Sequence, residues 1–447
     1  MTKNHNNAKR ILCLFLPVLL LCLSGCWIKS PEALYALPQQ SEAYYDLQEN
    51  IDQVITGATT YCAPVGGENR QPLQMEDLDG DGQQEAIVFA KDSGEKPLKI
   101  YIFARNNDTF SLASVIEGDG TSFESVSYAQ IDGSPGLEII VGRSIHNQVF
   151  KALSVYSFQG NSSVELMASN CSAYTVTDLD VDGRTDLFLI RFDSEIKAGT
   201  AEFYRYNGGV MVREPEMSLT QGVSSIKRLT TAYMEEDVPA VFVAGALDEN
   251  TLVTDVFVFH NGSLQNLAAA TDPSGSPTVR NYYAYGTDID DDGLIELPEV
   301  EKMPNGDQDE EAFRLIRWYN LRLDGTKQYK MLTYHDYSYG FYLELNEKWN
   351  GNVTITQSKT VGEGTAYTFS RWFSTRKTTE EIFTIYLFTG DNAAELAESG
   401  GRFLIAEKNE VTYAAALADS EWSELLTEQD LIDSFRFIRE DRNSGII

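Results

Sequence analysis

One nine-residue pattern recurs down this chain and narrows what it can fold into. Asp77-Leu78-Asp79-Gly80-Asp81-Gly82-Gln83-Gln84-Glu85 runs into Ala86-Ile87-Val88-Phe89. Asp178-Leu179-Asp180-Val181-Asp182-Gly183-Arg184-Thr185-Asp186 runs into Leu187-Phe188-Leu189-Ile190. Asp288-Ile289-Asp290-Asp291-Asp292-Gly293-Leu294-Ile295-Glu296 is a third copy. A weaker one, Gln130-Ile131-Asp132-Gly133-Ser134-Pro135-Gly136-Leu137-Glu138, precedes Ile139-Ile140-Val141-Gly142. Carboxylates at positions 1, 3 and 5 converge on one point when the chain turns tightly. Glycine at position 6 permits that turn because it takes positive φ without a Cβ clash. The carboxylate at position 9 closes the cage from the start of an apolar run, so the loop feeds a buried strand. Oxygen-only donors of this kind suit calcium, a hard cation.

The pattern is periodic. Polar turns centred on Asn107, Gly160, Gly208, Gly262 and Gly325 follow the loops in phase. Counting back from Gly262 lands beside Glu235, Glu236 and Asp237, a repeat whose loop has lost its ligands in register. Five repeats of about 50 residues therefore start near 77, 130, 178, 232 and 288, each with strand and hairpin signals. The extra length of the fifth lies in the acidic insert around Asp307 to Glu311. Four strands per unit is the pattern of propeller blades, so a mainly β chain with a five-bladed β-propeller is expected.

These residues resemble the FG-GAP/VCBS-type calcium-loop repeats of β-propellers, over roughly residues 60–335. The resemblance implies three structural calcium ions. Their ligands would be Asp77, Asp79, Asp81 and Glu85, then Asp178, Asp180, Asp182 and Asp186, then Asp288, Asp290, Asp292 and Glu296. The second repeat keeps only Asp132 and Glu138, so no ion is assigned there.

The order of parts also resembles that of bacterial lipoproteins. Lys3, Lys9 and Arg10 precede an apolar run from Ile11 to Leu23, which is too short to span a bilayer and reads as a signal peptide over 1–25. Leu23-Ser24-Gly25-Cys26 resembles a lipobox, implying that Cys26 is acylated and anchors the chain outside the cytoplasm. Residues 26–58 read as a tether followed by a helix over Ser41–Thr56, with Tyr44, Leu47, Ile51 and Val54 on one face. Residues 59–335 form the repeats, with residues 58–75 lending a strand to the first. Cys62 and Cys171 sit out of phase with each other and read as two buried thiols or, less simply, a disulfide.

Beyond residue 335 the grammar changes. Strands over Tyr339–Leu345, Val353–Ile355, Ala366–Trp372, Ile382–Phe388, Arg402–Ala406 and Val411–Leu417 are interleaved with a helix from Asp391 to Gly400 and one over Thr427–Phe437. Residues 336–447 are thus expected to be a separate, smaller α/β sandwich-like domain. It resembles, through its Gly-Phe and Trp stretch, PsbP-type modules.

A formal charge of −32 with no basic stripe excludes nucleic acid as a partner. No catalytic constellation stands out. His5, His146, His260 and His335 lack neighbours at metal spacing, and phosphate-loop, nucleophile-elbow and dinucleotide motifs are missing. Arg280 and Arg317 read as partners of the acidic loops, with a binding face as the alternative. Trp318, Trp349 and Trp372 read as core, with sugar stacking as the alternative. The expectation is a non-enzymatic surface lipoprotein whose calcium-stabilised propeller binds a protein or glycan. A glycan- or cell-wall-acting enzyme and an envelope scaffold are the other readings.

Overall fold

The computed structural model describes residues 42–107, 109–145, 150–270, 273–304, 313–359 and 364–438. The leader, Cys26, Ser41, His146 and the acidic insert around Asp307 lie outside them.

The chain is mainly β and forms six antiparallel sheets in sequence order. The first contains Glu85–Lys91, Leu98–Asn106 and Thr109–Gly118. Its inner strand comes in two pieces, Thr60–Tyr61 and Leu73–Glu76, both paired with Glu85–Lys91. The second contains Ser122–Ala129, Glu138–Ser144, Lys151–Gln159 and Ser162–Cys171. The third contains Ala173–Thr177, Asp186–Asp193, Ala198–Asn207 and Val210–Arg213, with Met217–Ser218 alongside. The fourth contains Ser225–Glu235, Val238–Ala246, Leu252–His260 and Ser263–Asn266. Each nine-residue loop joins the first two strands of its sheet. In the fourth sheet it has shrunk to the tight hairpin at Glu236-Asp237, with Asp237 at φ 60°. The outer hairpins turn on residues at positive φ, such as Asn161 (65°) and Asn261 (51°) beside Gly160 (55°) and Gly262 (76°). Two successive positive φ values match the right-handed strand twist.

Consecutive sheets pack face to face, which is why strands such as Glu85–Lys91 are buried almost throughout rather than alternately. Phe89, Ile100, Phe123 and Val141 join the first sheet to the second. Leu153, Val155, Leu187 and Leu189 join the second to the third. Phe188, Phe203, Val241 and Phe257 join the third to the fourth. Phe242, Val256, Leu297 and Tyr319 join the fourth to the fifth.

A ring would need the first sheet to meet the fifth. The outer faces of both are taken by other elements instead, and no apolar cluster joins them among the described residues. Helix α1 (Glu42–Val54) lays Leu47 and Ile51 on Val88 and Phe103 of the first sheet. Its Asp46 and Asn50 also pair with the backbone N–H and C=O of Phe110 on that sheet's edge strand. The sixth sheet covers the fifth.

The boundary expected at residue 336 runs through a hairpin. The fifth sheet contains Leu297–Lys302, Arg314–Leu321, Lys327–Asp336, Phe341–Leu345 and, from the far end of the chain, Phe435–Phe437. Its first strand is reduced to the single bridge Thr287 to Glu296. The sixth sheet holds Val353–Lys359, Thr365–Phe373, Thr378–Thr389, Val411–Leu417 and Phe403–Lys408, in that order. Leu332, Tyr334, Phe341 and Leu343 of the fifth sheet share one core with Phe369, Phe383, Ile385 and Tyr413 of the sixth. The main core of residues 336–438 is therefore shared with the earlier strands of the fifth sheet, and only a smaller cluster under helix α2 is separate from it.

Helix α2 (Ala393–Glu398) packs Ala393 and Ala397 on the sixth sheet. Helix α3 (Glu428–Ser434) starts at a capping box between Thr427 and Asp430 and ends before Phe435, earlier than the helix expected over Thr427–Phe437. Phe435–Phe437 is strand because its two phenylalanines pack into the shared aromatic core as Phe341's neighbours. Cys62 and Cys171 are free thiols, and burial pushes the Cys171 thiol up to about 12. No helix among the described residues is long and apolar enough to cross a membrane.

Candidate metal centres

The nine-residue loops share a design that begins with position 2. Leu78, Ile131, Leu179 and Ile289 are buried; the first three pin their loops to the apolar layers between sheets, and Ile289 packs on Ile316 and Trp318 of the fifth sheet. The backbone N–H of that same residue is then clasped by the position-9 carboxylate. Leu78 donates to Glu85 (2.9 Å), Ile131 to Glu138 (2.7 Å), Leu179 to Asp186 (3.1 Å) and Ile289 to Glu296 (3.0 Å). Position 1 holds the turn: Asp77, Asp178 and Asp288 each accept from the position-6 glycine at 2.9 Å. Positions 4 and 6 both have positive φ. Position 4 is Gly80 (75°), Val181 (58°) and Asp291 (60°), and position 6 is Gly82 (86°), Gly183 (84°) and Gly293 (86°). A β-branched valine there is strained, and the surrounding hydrogen bonds hold it.

The loops are also joined to one another. The position-8 N–H donates to the start of the preceding repeat. Leu137 donates to the Asp77 carbonyl (3.3 Å), Thr185 to that of Gln130 (2.8 Å) and Ile295 to that of Tyr233 (2.9 Å). The result is a ladder along one edge of the stacked sheets.

Three sets of carboxylates converge. Asp77, Asp79 and Glu85 can place one oxygen each within 4.8 Å of the others, as can Asp178, Asp180 and Asp186. So can Asp288, Asp290, Asp292 and Glu296. Each set could hold a metal ion. The all-oxygen donors, the high negative charge and the turn that aims them suit a hard divalent cation. Two expected ligands stand apart. Asp81 accepts from the Gln83 N–H (2.7 Å) and its side-chain amide (3.2 Å), and Asp182 from the N–H (2.9 Å) and guanidinium of Arg184. Asp292 makes the same contact to its position-7 N–H (Leu294, 2.9 Å) and still converges with its set.

The electrostatics are those of crowded anions. Burial, reinforced by the neighbouring loop aspartates, raises Glu85 to about 7, Asp186 to about 8 and Glu296 to about 7. Basic side chains reach two of the three clusters. Arg205 meets Asp180 at 2.8 Å, and Lys330 lies 2.6 Å from Asp292 and 3.5 Å from Asp290. The first cluster has no ion pair among the described residues.

The second loop, which has fewer carboxylates, is held by neutral side chains. Gln130 at position 1 donates to the Ser134 carbonyl (2.6 Å), and Asp132 accepts from Gln159 (3.0 Å) and Ser157 (3.3 Å). Neutral donors meet the Asp132 carboxylate there.

Arg317 pairs with Glu347 (3.6 Å) and Glu301 (4.0 Å) and lies over Tyr329 (3.7 Å), away from the loops. Arg280 is buried without an acidic partner among the described residues, contrary to the pairing expected of it. Trp318 and Trp349 are core, and Trp372 is half-buried. Sequence reasoning missed the position-2 anchor, the position-9 clasp and the basic competitors. The first was signalled by Leu or Ile at position 2 of every copy. The others depend on contacts that local pattern does not encode.

No family model matches the chain, and no curated protein does. Among solved structures it is similar to the exotype rhamnogalacturonan lyase YesX, at 11% identity over 71% of this chain and 79% of that one, with a TM-score of 0.31. It is similar also to a Lactobacillus plantarum protein, at 10% identity over 74% and 89%, TM-score 0.29. A third is a Bacillus licheniformis rhamnogalacturonan lyase, at 14% identity over 72% of each chain, TM-score 0.29.

Proposed function

We propose that this chain is an extracytoplasmic interaction module, stabilised by calcium and held to a membrane by an acylated Cys26. Its loop-bearing sheets would form an open, propeller-like arc of the FG-GAP/VCBS type, closed at one end by α1 and at the other by the sixth sheet. The observation that carries this reading is the threefold recurrence of convergent carboxylates on the same edge of the stack, each with the same clasp. Calcium there would neutralise the anions and lock the ladder of loops. That would leave a rigid edge suited to recognition of a protein or glycan.

The test has two arms. Titration calorimetry on the soluble chain should give calcium heats with dissociation constants on the order of 10⁻⁴–10⁻³ M, as in extracellular modules. A screen against glycans and cell-wall fragments should give binding that EDTA weakens. Absence of any calcium heat ends the calcium reading. Release of new reducing ends from a glycan would replace the binding module by an enzyme. For the anchor, Cys26→Ala should leave the protein unacylated and no longer membrane-bound; a variant equally retained on membranes rules the anchor out.

A further inference from the structure

The segment between the fourth and fifth sheets buries a positive charge that nothing balances. Arg280 is held to the fourth sheet by a two-way backbone pairing with Leu252 at 2.9 Å, and the residue is only 4% exposed. Its guanidinium Nε donates to the Ala284 carbonyl (2.6 Å), and Nη1 donates to Thr254 Oγ1 (3.1 Å) and the Thr278 carbonyl (2.9 Å). Nη2 is buried and has no hydrogen-bond partner. The ionisable groups in electrostatic reach are the phenols of Tyr319, Tyr285 and Tyr337, which are neutral at physiological pH, and burial pulls the guanidinium down to about 10. A trapped water could satisfy the Nη2 hydrogens but not the charge. Buried charges persist when something compensates them.

A second orphan shares Tyr337 with it as a neighbour. His335 is buried, and neither Nδ1 nor Nε2 has a partner. Its ring stacks on Tyr342 (4.9 Å between centroids, 8° between planes), with Trp318 at 5.5 Å and Tyr337 at 5.6 Å. Burial holds it neutral, with its pKa down at about 3. It therefore offers one donor and one acceptor. Tyr337 connects the two orphans. It neighbours His335 and Tyr282 (6.0 Å), feels the Arg280 charge, and is 48% exposed, so it covers the seam from the solvent side.

We propose that this seam binds a small carboxylate with a ring-shaped body. Its oxygens would accept from the unpaired Nη2 of Arg280, and its body would take the place of the half-exposed Tyr337 ring against His335. The carboxylate supplies the missing counter-charge, and the aromatic wall of Tyr282 and Tyr342 suits a flat face. None of the carboxylates of the acidic loops belongs to this site, although Tyr342 also donates to the Ile289 carbonyl of the fifth loop (3.4 Å).

The test uses the full calcium-loaded chain with glucuronate and benzoate, against glucose and benzamide as neutral counterparts at matched ionic strength. Imidazole NMR reports on His335, its signal assigned by loss in His335→Phe. At least one acid should move the His335 signal saturably, with half-saturation on the order of 1 mM, and raise the melting temperature, while its neutral counterpart does neither. Arg280→Lys keeps the charge but removes Nη2 and should weaken binding about tenfold or more. If that variant fails to fold, the wild-type acid-against-neutral comparison decides alone. No saturable shift with either acid, equal shifts with the neutral partners, or undiminished binding in a folded Arg280→Lys protein would overturn the proposal.

Discussion

The loop edge and the junction of the fifth and sixth sheets are held together by opposite means. Along the loop edge, buried carboxylates clasp backbone N–H groups and crowd one another, so cohesion there hinges on what neutralises them. At the junction, Tyr334, Phe341, Phe369, Phe383 and Tyr413 make a mainly apolar, aromatic core, with the buried Asp336 beside its tyrosines. The first region should answer to cation and pH. The second should answer to truncation. A polar edge can be switched by solution conditions at constant contacts, whereas an apolar core is lost only with its atoms.

The largest effect should come from cutting the junction. A fragment of residues 336–447 keeps Phe341–Leu345 but removes all of its neighbour Lys327–Asp336 except the last residue, and with it Leu332 and Tyr334. That exposes one wall of the shared core, and burial of each such side chain is worth roughly 1.5–3 kcal/mol. The fragment should lack a cooperative melt and near-ultraviolet dichroism, while residues 42–438 retain both. A sharp, calcium-independent melt from the fragment would show that the sixth sheet folds alone and that the comparison overstates the junction.

Chelation comes next. Removing calcium with EDTA at neutral pH should lower the melting temperature by about 5–10 °C, since saturation at about 100-fold over the dissociation constant contributes about 2.7 kcal/mol. Scanning calorimetry checks this. An unchanged transition would remove the distinction between the two regions.

The pH dependence sharpens it further. Glu85, Asp186 and Glu296 have folded pKa values near 7, 8 and 7, above those of an unfolded carboxylate. Between about pH 4 and 8 the folded, metal-free chain therefore binds more protons than the unfolded one, so its stability falls as pH rises. Denaturant midpoints in EDTA should decline across that window, and saturating calcium should flatten the slope. A rising midpoint in EDTA contradicts the assignment of these three as the strained anions.

How far each region was legible in sequence follows the same division. The loops repeat within nine residues, so Asp77, Asp178 and Asp288 announced both their turn and their period. The sheets they feed were legible too, because each is a local meander. The ends of the series were not. Phe435–Phe437 joins a strand roughly 90 residues earlier, and the helix expected over Thr427–Phe437 stops where the sheet claims Phe435. Arg280 was unreadable for a related reason. Its isolation depends on Thr254, Thr278 and Ala284 arriving from two segments, and no local spacing encodes a missing acid.

The smallest predicted effect separates the acidic loops from one another. In the fifth loop Lys330 sits against Asp290 and Asp292, whereas the first loop has no such pair among the described residues. The lysine acts as a built-in counter-ion, so calcium must displace or share its partners. Lys330 is 25% exposed, so solvent and salt screen its contribution. Lys330→Gln should tighten calcium at the fifth site by roughly threefold to tenfold, and less at high salt. In EDTA the same change should lower the melting temperature by about 1–3 °C, because it removes the cation that pairs with those aspartates among the described residues without supplying another. The two signs are opposite, which a merely structural lysine would not produce. Calorimetric titration with and without 0.5 M salt, beside melts in EDTA, distinguishes them. Weaker calcium binding in the variant would mean that Lys330 helps shape the site rather than competing for it.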